Sequence, residues 1–119
     1  MRISVPSMGN KGLEDMIGQH FGRVPTYTIW DSETEKVEIV PNTSEHMGGT
    51  GLPPELMNAH KVDIMLCSGL GQRAVKMFEE LGIMVYVGAM GTVKDTIEAW
   101  KRGELQEVTD ETACQEHRH

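Results

Sequence analysis

Val62-Asp63-Ile64-Met65-Leu66-Cys67-Ser68-Gly69-Leu70-Gly71-Gln72-Arg73-Ala74 decides how this chain folds. Val62 to Leu66 is an apolar run of strand length. Ser68 to Gly71 is a glycine-bearing turn. Ala74, Val75, Phe78 and Leu81 then space apolar residues as one face of a helix. Strand, turn and helix form the repeating unit of α/β sheets. The turn leaves free N–H groups at the helix start, and these attract anions. Cys67 stands at the strand exit beside that turn.

Downstream, Ile83 to Val87 is a second buried strand. Near-continuous apolar character in both runs suits strands covered on two faces. Thr92 is a natural N-cap with Asp95 three residues on, close to a capping box. Val93, Ile97 and Trp100 supply the apolar stripe of that helix. Lys101 and Arg102 fall in its last turn, and Gly103 stops it.

Upstream, Ile3 and Val5 alternate with Arg2 and Ser4 as a first strand, and Ser7 to Gly18 reads as a loop. Tyr27 to Trp30 and Val37 to Val40 are β-rich runs joined by Asp31 to Lys36, a hairpin. Asn42 to Gly51 is a second glycine-bearing loop. Pro53-Pro54 suits the first turn of a short helix reaching about His60. The order βββαβαβα, with right-handed crossovers between the later strands, predicts an α/β fold. It is a three-layer α/β/α sandwich on a mixed five-stranded sheet. Residues 1–108 are expected to form one domain, and residues 109–119 a polar, mobile tail.

The 119 residues carry a net charge of −7, with Lys and Arg dispersed, which argues against nucleic acid as a partner. Arg2 to Pro6 enters a strand directly, and no apolar run approaches membrane-spanning length. The expected location is cytoplasmic, with no membrane. Only Cys67 and Cys114 are cysteines, so a structural disulfide is not expected. Nine methionines, among them Met16, Met57 and Met77, read as adaptable core fillers.

Ligands of open α/β sheets bind beyond the carboxyl ends of the strands. That places Cys67 to Gly71 beside Gly88-Ala89-Met90-Gly91, with the loops after the first and third strands able to join them. Gly69-x-Gly71-x-x-Ala74 matches a dinucleotide turn, but no acid follows at the end of the next strand, Val87-Gly88-Ala89-Met90. Two-metal hydrolysis needs clustered carboxylates. The first strand offers Ser4, while Asp31 and Asp63 stand alone. Nucleophilic catalysis by Cys67 needs a base, and a buried strand-end thiol is the plainer account. A soft metal or metal-cluster site has donors in Cys67, His20 and His46, and in the tail set Cys114, His117 and His119.

Gln19-His20-Phe21-Gly22-Arg23 resembles the E-H-F-G-R motif of the dinitrogenase iron–molybdenum-cofactor biosynthesis family. His46-Met47-Gly48-Gly49-Thr50-Gly51 is similar to its His/Gly-rich central loop. Cys67-Ser68-Gly69-Leu70-Gly71 is similar to its C-G-G-I-G turn. Gly88 to Lys94 with Gly103-Glu104-Leu105 resembles its closing segment. The resemblance spans about residues 1 to 108; Gln19 and Ser68 depart from the pattern. It implies a ribonuclease-H-like fold without nuclease chemistry, because the acids are missing. It also implies a non-enzymatic carrier of an iron–sulfur-type cluster or iron–molybdenum-cofactor precursor, working with a protein that donates or receives it. His20, Arg23, His46 and Cys67 are the matching residues. Arg23 and main-chain N–H groups around Gly69, Gly71, Gly91 and Thr92 are expected to balance an anionic cluster. A metal-free regulatory or protein-interaction module is the competing expectation, and a nucleotide-binding module a third.

Overall fold

The apolar run at residues 62–67 becomes the middle of the sheet. The computed structural model describes residues 1–44, 49 and 51–111. In chain order the elements are β1 (Arg2–Ser7), β2 (Thr26–Asp31), β3 (Val37–Pro41), α1 (Pro53–Ala59), β4 (Ile64–Cys67), α2 (Gln72–Glu80), β5 (Met84–Val87), α3 (Val93–Lys101) and β6 (Gln106–Val108). The spatial strand order is β3-β2-β1-β4-β5-β6. β1, β4 and β5 are mutually parallel, whereas β2, β3 and β6 join by antiparallel pairing.

All four residues of β4 are buried. Ile64 and Leu66 pack with Ile3, Val5, Val93 and Ile97. Met65 and Cys67 pack on the other side with Tyr27, Met57, Phe78 and Val85. Thus α3 covers one face, while α1 and α2 cover the other. This is the predicted three-layer sandwich, and it explains why β4 lacks alternation. The capping box at Thr92 forms: Asp95 N–H donates to Thr92 Oγ1 at 3.0 Å, and Thr92 N–H donates to Asp95 Oδ2 at 3.1 Å.

The sheet has six strands, not five. Gln106–Val108 adds along the free edge of β5, pairing Val85 with Val108 and Val87 with Gln106. The segment is three residues long with one buried side chain, too short and polar to announce itself by pattern. The edge of β5 supplies the hydrogen bonds that hold it. Beyond it, Asp110 N–H donates to Glu79 Oε2 at 3.1 Å, so the chain continues along α2. Residues 112–119 lie outside the described residues. The methionines also divide: Met57 and Met65 are core, but Met16 is exposed, together with Met8 and Met90. No helix among the described residues is long and apolar enough to cross a membrane.

Candidate functional site

β3 runs in the same direction as β1, since both are antiparallel to β2. The carboxyl ends of β1, β3, β4 and β5 therefore share one edge, and the loops after all four meet there. Backbone bonds tie them together. Ile17 N–H donates to Gly91 O at 3.1 Å, and Val93 N–H to Asp15 O at 2.9 Å. Ala89 N–H donates to Cys67 O at 3.1 Å, and Ser68 Oγ donates to Ala89 O at 3.1 Å.

His20 to Arg23 form a tight turn, with Arg23 N–H donating to His20 O at 3.2 Å. Phe21 roots it in the core, its ring centroid 5.7 Å from that of Phe78, and Tyr27 Oη donates to the Phe21 carbonyl. With Phe21 pulled inward and Gly22 buried, His20 and Arg23 project to solvent. The Gly69-Leu70-Gly71 turn is held the same way, since Leu70 packs against Val75 and Val108.

Between these two turns lies an open cleft of about 220 Å³, lined by His20, Arg23, Gly69 and Gly71 with Gln19 and Phe21. A larger groove of about 690 Å³ adjoins it through Phe21 and Gly71, walled by Leu52, Pro53, Pro54 and Met77 with Arg73. Among the described residues, no carboxylate lines either space, although the chain carries a net charge of −7. No side chain caps α2 at Gly71, so the orphan N–H groups of its first turn remain open beside the cleft.

The structure thus gathers His20, Arg23, Gly69 and Gly71. It sends Gly91 and Thr92 elsewhere. Gly91 turns with a φ of 77° and its carbonyl serves Ile17, while the Thr92 N–H is already taken by Asp95. Cys67 lies beneath the turn, fully buried. Burial pushes its thiol up to about 12, against a smaller opposing effect of the Gly69 N–H. Its sulfur faces the Tyr86 carbonyl at 3.9 Å. At neutral pH this is a protonated core thiol. His46, Cys114, His117 and His119 lie outside the described residues. Among the described residues no three His, Cys, Asp or Glu side chains cluster as a metal cage.

Ser4, Asp31 and Asp63 lie away from the cleft. Ser4 is buried and donates to Met57 Sδ at 3.1 Å. Asp31 pairs in register with Arg2, and the Arg2 N–H donates to Asp63 at 2.8 Å. Both acids therefore sit at the opposite edge of the sheet.

Sequence reading missed Asn42. Its buried side-chain amide donates to Gly22 O at 3.0 Å and Val24 O at 2.8 Å, while its Oδ1 accepts from the Ser44 N–H and hydroxyl. One residue thereby fixes both the His20 turn and the start of the loop after β3. A loop asparagine is common, and only the fold shows that this one is internal.

A model of the family described as dinitrogenase iron-molybdenum cofactor matches residues 1–103. The Methanocaldococcus jannaschii protein MJ0580 is 27% identical over 111 residues, covering 89% of this chain and 90% of that protein. The NMR structure of the Thermotoga protein TM1290 is 33% identical, covers 91% of this chain and 93% of its own, and superposes with a TM-score of 0.77. The apo orange protein of Desulfovibrio gigas shares the fold, with a TM-score of 0.81 at 22% identity, over 90% of this chain and 92% of that one.

Proposed function

This chain belongs to the dinitrogenase iron-molybdenum cofactor family, and on that premise we propose that it is a non-enzymatic, cytoplasmic carrier of an anionic iron–sulfur-type cluster or cofactor precursor. The cargo sits in the cleft between the His20–Arg23 turn and the Gly69–Gly71 turn. The observation that carries this reading is the joint exposure of His20 and Arg23 beside Gly69 and Gly71, in a space lined by no acid among the described residues.

The division of labour follows from the chemistry of each group. Arg23 presents a permanently charged, multi-donor fork to sulfide or oxygen atoms of the cargo. The N–H groups at the start of α2 add partial positive charge. His20 supplies an imidazole donor suited to iron. Cys67, protonated and enclosed, supports the turn from below rather than gripping the cargo. Holding by charge and hydrogen bonds, with few covalent ligands, suits a protein that must release its cargo to a receiving protein. The adjoining apolar groove lies beside the site, where such a protein would approach.

The test is anaerobic incubation with iron and sulfide, then desalting, visible absorbance and metal analysis. The wild-type chain is expected to retain iron and sulfide, and the His20→Ala/Arg23→Gln variant to lose most of both. Equal retention by that variant would place the cargo elsewhere. Failure of the wild-type chain to retain metal would favour the metal-free interaction module.

A further inference from the structure

Three methionines stand exposed at the edge of the sheet that carries the cleft, on segments bonded to one another. Met8, Met16 and Met90 are 56%, 55% and 77% exposed. Long apolar side chains in such positions lose burial energy that a polar residue would not. Their arrangement is specific. Ser7 and Ile17 form an antiparallel bridge, flanked by the Gly18 N–H to Pro6 O bond at 2.9 Å and the Met8 N–H to Met16 O bond at 3.2 Å. Met8 and Met16 are therefore opposite one another, on the face away from Ser7 and Ile17. Met16 is in turn bridged to Thr92. Met90 precedes Thr92 by two residues, on that same third segment.

Gly18 follows Met16 by two residues and has no side chain; a Cβ placed there would lie 2.0 Å from Val24 Cγ1 and 3.3 Å from Met8 Sδ. The Met8 sulfur thus reaches across the ladder to Gly18, where it lies beside the Val24 side chain. Beneath the methionines lies Asp15, buried, its carboxylate accepting the Met16 N–H at 2.9 Å and the Lys11 N–H at 3.1 Å. A carboxyl group therefore stands next to neutral, polarizable sulfur donors.

We infer that Met8, Met16 and Met90 form a thioether site for a soft monovalent cation of the copper(I) class. Thioethers are uncharged and polarizable, so they discriminate against zinc(II) and other harder ions in favour of copper(I). The buried Asp15 carboxylate offsets the charge of a monovalent ion without entering its coordination shell. This site shares no residue with the cleft, so the two stand or fall separately.

The probe is silver(I), a redox-inert stand-in of the same class, added to the full chain carrying Cys114→Ser to remove a competing thiol. Methionine methyl groups labelled with carbon-13 report the site directly. The Met8, Met16 and Met90 methyl signals are expected to shift together to a one-to-one end point, with Met57 and Met65 unmoved. Zinc(II) is expected to move none of them. Met16→Leu, a substitution at an exposed position, should weaken silver binding by roughly tenfold or more and leave the Met8 and Met90 signals in place. The inference is overturned if the three signals do not move, if zinc(II) moves them equally, or if Met8 and Met90 shift unchanged in the Met16→Leu variant.

Discussion

The side-chain amide of Asn42 donates to the carbonyl oxygen of Gly22 at 3.0 Å, joining the end of β3 to the turn that presents His20 and Arg23. Asn42→Ala removes this bond and the one to Val24, and strips Ser44 of its acceptor. Buried carbonyls left unpaired make the change expensive. The expected loss is about 2–3 kcal/mol, read as a lower urea midpoint. Amide exchange should quicken at residues 20–25 before it does in β4. Uniform quickening would mean that Asn42 supports the whole fold rather than this turn.

Gly69 and Gly71 separate folding from binding. A Cβ at either position meets nothing within 4 Å, and Gly71 has an ordinary extended conformation, with φ −74° and ψ 161°. Neither glycine is demanded by the fold. Alanine at both should leave stability within about 0.5 kcal/mol or raise it slightly. The same methyl groups enter the cleft, so iron and sulfide uptake should fall. Unimpaired uptake in a well-folded double variant would count against the cleft as the cargo site.

Alkaline stability tests the state of Cys67. Its thiol titrates near 9.0 when free and is pushed up to about 12 by burial. The folded chain therefore holds a proton that the unfolded chain gives up. This contribution is complete below 9.0 and declines as pH rises from there toward 12. Tyr27 beside it, also raised by burial, adds in the same direction. Urea midpoints should fall with rising alkalinity, and fall less steeply in Cys67→Ala. An identical decline in the variant would exonerate Cys67.

Thr92 and Asp95 make a second, pH-dependent clasp. Thr92→Ala is expected to cost about 1 kcal/mol through loss of the N-cap. The Thr92 N–H and hydroxyl hold the Asp95 carboxyl below its usual range. Its contribution is therefore present above the ordinary aspartate range and disappears as pH falls through the lowered value. Thermal melts of the wild type and Asp95→Asn should converge on acidification. Because Gly91 turns at φ 77° and a Cβ there would meet Asp95 Oδ2 at 2.7 Å, Gly91→Ala should disturb the same clasp.

Much of the fold is legible in local pattern. Ile64 to Cys67 is apolar throughout because both its faces are covered, and Thr92 with Asp95 marks a helix start that the structure reproduces. β6 is not legible, because Gln106–Val108 has only Val108 to bury and is held by the edge of β5 rather than by its own propensity. Site residues divide in the same way. The exposure of His20 and Arg23 follows from Phe21 being drawn into the core, and that needs Phe78 from a helix some 57 residues away as a partner. Met16 looks like a core filler in a linear chain and is exposed in the folded one, because its neighbours in space are Met8 and Thr92, at a strand end and a loop end.

The sequence by itself determined the order of elements from β1 to α3, the N-cap of α3 and the turn after Cys67, since these depend on residues within a few positions of one another. Tertiary structure decided which chemistry that turn can offer. Burial among Tyr27, Phe78 and Val85 makes Cys67 a protonated core thiol, an outcome set by packing from β2, β5 and α2 rather than by its neighbours in sequence. The gathering of His20 and Arg23 with Gly69 and Gly71 is likewise a consequence of the parallel β1–β4 pairing, which brings two distant loops to one edge. Local physics wrote the elements; only the closing of the sheet placed their ends together.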